Sequence, residues 1–142
     1  MRTTKDRIRH AISFEVIALA IVTPLGAWLF DKPIAEMGVV TVVGSLIATG
    51  WNYVYNLGFD HTMQRLYGDV RKTVVIRVFH ALLFEAGLLI VLVPFIAWWL
   101  AIGWLEAFII DISFSAFFLI YAFVFNWAYD VIFPVPDPTG KG

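Results

Sequence analysis

From Met37 to Phe59 the chain runs twenty-three residues without one ionisable side chain. Wound as a helix, such a run reaches roughly 35 Å, enough to cross the hydrocarbon core of a bilayer. Three more runs share its character. Ala11 to Phe30 carries only Glu15, Val78 to Gly103 only His80 and Glu85, and Ala107 to Tyr129 only Asp111. With 61% of its 142 residues hydrophobic and 15% charged, the chain has too little polar surface for a water-soluble domain. The strict alternation of a transmembrane barrel is absent. The pattern predicts an all-α membrane protein with four transmembrane helices.

The basic residues are placed unevenly. Arg2, Lys5, Arg7 and Arg9 precede the first run, and Arg65, Arg71, Lys72 and Arg77 fall between the second and third. The first connection between runs offers only Lys32, and the last offers none. The positive-inside rule then puts both termini and the middle loop in the cytoplasm. A basic start followed by the small triplet Ala18-Leu19-Ala20 invites a signal-peptide reading, but Glu15 interrupts its apolar region.

Slid by seventy positions, the sequence meets itself. Arg7, His10, Ala11, Phe14 and Glu15 fall on Arg77, His80, Ala81, Phe84 and Glu85. Pro24, Ala27 and Trp28 fall on Pro94, Ala97 and Trp98, while Glu36, Ser45, Val54, Asn56 and Asp60 fall on Glu106, Ser115, Val124, Asn126 and Asp130. The expected organisation is a two-helix hairpin duplicated in tandem, residues 1–70 and 71–133, related by an axis along the membrane normal. Residues 134–142, rich in proline and glycine, form an expected flexible tail. Pro24 and Pro94 are expected to bend the first and third helices, and Pro33 suits the first turn of the second.

The intramembrane acids carry the chemistry. Glu15 lies roughly 7 to 8 Å deeper than His10 along a helix, in the cytoplasmic third of the bilayer. Insertion of an acidic group at the membrane centre costs about 2.5 to 3.5 kcal/mol, and such groups default to function. Burial disfavours the charged form of a carboxyl, a property that suits a proton carrier. A pair with His10, His80 or an arginine that only sets helix register is the competing reading. By position Glu15 and Glu85 are equivalent.

On the second run Thr41, Ser45, Ala48, Asn52 and Asn56 fall on one helical face, and the fourth repeats the stripe as Asp111, Ser115, Phe118, Ala122 and Asn126. Close helix packing explains the small members, whereas amides and a carboxyl left unpaired in lipid are costly. Phe14, Trp51, Tyr55, Phe84 and Trp127 lie near the acidic level, where rings can hold an organic cation at about 0.5 to 2 kcal/mol each, although most such rings only pack. Trp28, Trp98, Trp99 and Trp104 read as an interfacial belt, and His61 as a solvated loop residue. Arg7 and Arg77 read as interfacial anchors.

No cysteine is present, so thiolate metal sites and disulfides are excluded. The chain has no phosphate-cradling glycine loop, zinc motif or nucleophile elbow, and no basic face for nucleic acid. Enzymatic chemistry, a bound metal and a cofactor are not expected.

The motifs Arg7-x-x-His10-Ala11-x-x-Phe14-Glu15, Trp51-Asn52-x-x-Tyr55-Asn56-x-x-Phe59-Asp60, Arg77-x-x-His80-Ala81-x-x-Phe84-Glu85 and Phe125-x-Trp127-x-Tyr129-Asp130 occur in that order. Together they resemble the four signatures of the proteobacterial antimicrobial compound efflux family, also known as bacterial transmembrane pair proteins. The resemblance implies an inner-membrane, proton-coupled exporter of cationic amphiphiles such as chlorhexidine, or of short diamines, working as a homodimer. It implies that Glu15 is the coupling carboxyl, and Asp111 also fits the family pattern; Glu85 and Asp111 are candidate secondary proton sites, their relative roles left open. Glu15, Phe14, Trp51, Asn52, Tyr55, Asn56, Phe84 and Trp127 are then the expected substrate contacts. Arg7, His10, Asp60, Arg77, His80, Asn126 and Asp130 are expected to be structural or interfacial. The alternatives are a non-transporting dimeric assembly or stress protein whose carboxyls are structural, and a proton-independent pore.

Overall fold

The computed structural model describes residues 2–69 and 73–135. Four helices account for most of them: α1 (Thr4–Leu29), α2 (Ile34–Tyr67), α3 (Val74–Leu100) and α4 (Trp104–Ile132). Each is long and apolar enough to cross a membrane. Most of the expected tail (136–142), together with Arg71 and Lys72 of the basic middle segment, lies outside the described residues.

The helices outrun the apolar segments because their ends are set by capping groups. Thr3 accepts a hydrogen bond at Oγ1 from the backbone N–H of Asp6, and Thr73, seventy positions on, accepts one from Ile76. Each hydroxyl satisfies a donor that the first helical turn would leave orphaned. α2 continues to Tyr67 and stops at Gly68, whose positive φ of 67° favours glycine. His61 is therefore an exposed helical residue, not a loop residue, and Asp60 is helical too. The segment between Phe59 and Gly68 has no proline or internal glycine to interrupt it.

The two short turns are built alike. Asp31 and Ala101 take left-handed φ values of 53° and 54°. The next residue's N–H, Lys32 or Ile102, bonds the carbonyl of Ala27 or Ala97 at 3.0 Å, the pattern that closes a helix C-terminus. The carbonyls of Pro33 and Gly103 then accept the first bonds of α2 and α4, from Met37 and Ala107. Pro33 thus stands just ahead of α2. α1 and α3 continue as helix through Pro24 and Pro94.

Buried side chains gather in the helix halves next to these turns: Ala18 and Val22 on α1, Met37 and Val40 on α2, Leu92 and Ile96 on α3, Ala107 and Ile110 on α4. Trp28, Trp98 and Trp104 stand exposed at the same ends, as an interfacial belt requires. Many large apolar side chains elsewhere are exposed, Leu46, Leu82, Ile90 and Leu119 among them, which suits surfaces solvated by lipid.

The chain divides into two compact units. One holds α1, the first turn of α2 and α4 from Ile112 onward; the other holds the rest of α2, α3 and the start of α4. Each unit therefore joins a first helix from one repeat to a second helix from the other.

Candidate functional site

The motif residues meet inside these units, and one arrangement is built twice. In the first unit His10 Nε2 lies 2.8 Å from Asn126 Oδ1; in the second, His80 Nε2 lies 2.9 Å from Asn56 Oδ1. Asn56 uses its Nδ2 to donate to the carbonyl and Oδ1 of Asn52, so its own Oδ1 is the acceptor and His80 Nε2 carries the proton. Each imidazole is ringed by aromatics: His10 by Tyr129 at 4.7 Å and Phe125 at 5.3 Å, His80 by Phe59 at 4.6 Å and Tyr55 at 4.8 Å.

One turn deeper, a polar aromatic caps the carbonyl next to each glutamate. Tyr121 donates its hydroxyl to Phe14 O at 2.8 Å, and Trp51 donates Nε1–H to Phe84 O at 3.0 Å. Position 121 is position 51 plus seventy, as 84 is 14 plus seventy. Tyr55 adds a bond from its hydroxyl to His80 O, where Phe125 offers only its ring. Glu15 and Glu85, each following a capped carbonyl, are half-buried. Tyr121 is close enough to feel the charge of Glu15.

Gly87 lets Trp51 lie flat. A Cβ on Gly87 would collide with Trp51 Cζ2 and stand 3.0 Å from Cε2 and 3.1 Å from Cη2. The corresponding residue in the first unit is Ile17, and the position equivalent to Trp51 holds the smaller ring of Tyr121.

The first unit carries an ionic clamp at its motif end. Asp6 pairs with Arg2 at 2.7 Å and Arg9 at 2.6 Å, and Arg2 also pairs with Asp130. Tyr129 donates its hydroxyl to Asp6 Oδ1 at 2.6 Å and accepts from Arg9 Nε at 3.0 Å. The Arg9 guanidinium sits 3.7 Å over the Phe133 ring. Asp6, and after it Asp130, pushes the pKa of Arg2 further above its ordinary value, so this end keeps its charges at all physiological pH. At the matching positions the second unit has Ile76, Phe79 and Phe59. Tyr129→Phe is expected to lower the melting temperature of the detergent-solubilised protein by several degrees, with a loss that shrinks in high salt; Phe59→Tyr is expected to give no matching gain.

The expected site residues thus fall into two groups. Phe14 and Glu15, with His10 and Asn126, belong to the first unit; Trp51, Asn52, Tyr55, Asn56 and Phe84, with His80 and Glu85, belong to the second. Asp130 joins the clamp. Trp127 is 66% exposed, on a different face of α4 from the rings around His10. Arg7 and Arg77 are exposed near the helix starts, and Asp60 is half-buried near the end of α2. Tyr121, Phe125, Tyr129, Gly87, Asp6 and Arg9 complete the clusters and were not among the expected contacts. The signal for the first three was the repeat: they occupy the positions of Trp51, Tyr55 and Phe59.

A family model described as chlorhexidine efflux transporter matches the chain twice, over residues 2–65 and 72–135. The short-chain diamines transporter of Vibrio parahaemolyticus is 40% identical over 141 residues, spanning 98% of this chain and 95% of its own. Its namesake in Acinetobacter baumannii is 35% identical over 141 residues, with 99% and 96% covered. The one from Acinetobacter baylyi is 33% identical over 132 residues, with 93% and 92% covered. No solved structure matches. Matched by one model in each repeat, and nearly end to end by these relatives, the chain belongs to the chlorhexidine efflux transporter family and is a multi-pass membrane transporter, not an enzyme.

Proposed function

We propose that the protein is a proton-coupled antiporter that exports organic cations, either chlorhexidine-like amphiphiles or short-chain diamines, across the bacterial inner membrane. The observation that carries this reading is the placement of Glu15: the only acid on the apolar run 11–30, half-buried, beside a ring system that includes Phe14 and Tyr121. The relatives' names supply the substrate class.

In the proposed cycle Glu15, deprotonated, holds the cation from the cytoplasmic side. Protons entering from the periplasm neutralise it and release the cation outward. A single carboxyl cannot hold both ligands strongly, so proton entry and cation exit are coupled by competition. Phe14 supplies a ring face in the first unit, and in the second unit Trp51, Tyr55 and Phe84 supply ring faces and Asn52 and Asn56 amide acceptors, each ring contributing about 0.5 to 2 kcal/mol where a cation lies over it. Glu85 is a second acid at the equivalent depth. Trp127 serves as a contact only if a second copy of the chain covers its face, which fits a homodimer of eight helices. Both termini are cytoplasmic in this scheme, on the strength of the basic flanks.

The test is purified protein in proteoliposomes with an imposed pH gradient. Adding chlorhexidine or a short-chain diamine is expected to drive proton movement in the opposite direction, and collapsing the gradient is expected to stop uphill cation flux. Cation flux at an equal rate with and without a gradient would instead establish a pore. Neither proton nor cation movement would overturn the antiport reading for these substrates.

A further inference from the structure

Glu15 and Glu85 are equivalent by position, yet the side chains that cap the turns around them differ in chemistry. Glu15 lies in the α1 turn that runs from the Phe14 carbonyl to the Ala18 N–H, partners in the helical ladder. The Tyr121 hydroxyl donates to that carbonyl at 2.8 Å, and its oxygen accepts from that N–H. One hydroxyl therefore serves both ends of a single ladder bond. Phe14, Phe125 and Phe117 hold the Tyr121 ring at centroid distances of 4.9, 5.6 and 5.7 Å, which fixes where the hydroxyl points.

The α3 turn around Glu85 runs from the Phe84 carbonyl to the Leu88 N–H. Trp51 donates Nε1–H to that carbonyl at 3.0 Å, but an indole has no acceptor to offer Leu88. Its ring also lies against Gly87, inside the same turn. Tyr55 does carry a hydroxyl, which bonds His80 O one turn earlier, on a ladder bond that does not enclose Glu85. The other acid of the apolar runs, Asp111, is buried in the second unit with Glu85.

Ala18 and Leu88 are both buried, so an N–H released by an opened turn must be satisfied from within its unit. A group that is donor and acceptor at once keeps carbonyl and N–H satisfied while the turn widens, as side chains inserted into the ladder do at helix kinks. A donor alone leaves the N–H orphaned. Bending at the glutamate therefore costs α1 less than α3. Pro24 and Pro94 are common to both helices and do not distinguish them.

We propose that Tyr121 is a positioning residue for export: by bridging the Phe14 carbonyl and the Ala18 N–H, its hydroxyl lets the α1 turn that carries Glu15 open and close, moving the carboxyl between the route of the cation and that of the proton. The inference rests on the antiport reading and gives a physical reason for coupling through Glu15 and not through Glu85.

The chain has no cysteine, so introduced pairs of cysteines can carry spin labels without background. Ile8 and Trp28 are exposed on either side of the α1 turn, and Val78 and Trp98 are their equivalents on α3. Pulsed electron resonance on the protein in nanodiscs, labelled at either pair, is expected to show the α1 distance shifting when chlorhexidine is added and the α3 distance unchanged. Tyr121→Phe, which loses the hydroxyl, and Tyr121→Trp, which keeps only a donor, are expected to abolish the shift with a distribution no broader than that of wild type. A mere anchor would act in the opposite sense, since its loss broadens the distribution. Uphill export by both variants in proteoliposomes is expected to slow about tenfold, the scale of one unmade bond to a buried group, with chlorhexidine affinity unchanged. No shift in wild type, a shift that survives in either variant, an equal shift in α3, a broadened distribution in the variants, or export by them at the wild-type rate overturns the proposal. If wild type itself moves no cation uphill, the antiport reading fails, and the proposal with it, whatever the distances show. Tyr121→Trp, already the residue of the other repeat, keeps the test open should Tyr121→Phe fail to fold.

Discussion

Glu15→Gln is expected to leave the protein folded and inserted while abolishing uphill cation export. Glutamine keeps the length, the helix propensity and one carbonyl acceptor of glutamate, and loses only the ability to become an anion. A carboxylate and a cation about 4 Å apart attract by about 4 kcal/mol where the effective dielectric is near 20. Part of that is offset by stripping water from both, so the expected loss of affinity is roughly ten- to a hundredfold. Titration calorimetry of chlorhexidine against both proteins decides it. A variant that binds as tightly as wild type would remove Glu15 from the mechanism and shift attention to Glu85.

The span count, the duplication and the two acid-bearing motifs were legible in the sequence because each rests on a one-dimensional signal: lack of charge over a bilayer's length, or identity at a fixed offset. What pairs with what was not. The seventy-residue shift aligns His10 with His80 and Asn56 with Asn126, yet the contacts are crossed, His10 with Asn126 and His80 with Asn56. A self-alignment reveals equivalent residues, and equivalent residues are not the ones that touch. Helix ends escaped for a different reason. Hydropathy marks where lipid stops, while helices continue until a cap or a glycine ends them, as Thr3, Thr73 and Gly68 do here. Trp127 illustrates the limit of placing a residue by its motif neighbours: it follows Asn126 directly, and one residue rotates a helix by about 100°, so the two cannot share a face. Gly87 carried no signal until Trp51 was seen lying on it.

Gly87→Ala is expected to be the most damaging single methyl in the second unit. The added carbon would overlap the six-membered edge of Trp51, and the obstruction is a rigid indole, not the loose end of a flexible chain. Overpacking of this kind typically costs about 1 to 3 kcal/mol. Relief requires the ring to swing away, breaking the bond from Nε1 to Phe84 O, a further 0.5 to 1.5 kcal/mol or so. The expected results are a lower melting temperature, an altered near-ultraviolet dichroism of the indole, and cation affinity reduced about tenfold if Trp51 contributes a ring face. The fold also suggests its own rescue. In the first unit the same position is Ile17, a far larger residue, and the ring equivalent to Trp51 is Tyr121, which reaches the Phe14 carbonyl with its hydroxyl. The double variant Gly87→Ala with Trp51→Tyr should therefore recover most of the lost stability, because a phenol is narrower than an indole and can still cap the Phe84 carbonyl. Its affinity need not recover with its stability. A stable double variant that still binds weakly would assign the indole face to the cation, and one that regains both would assign Trp51 to packing. A single alanine variant as stable as wild type, with unchanged indole dichroism, would mean that Trp51 does not lie against Gly87.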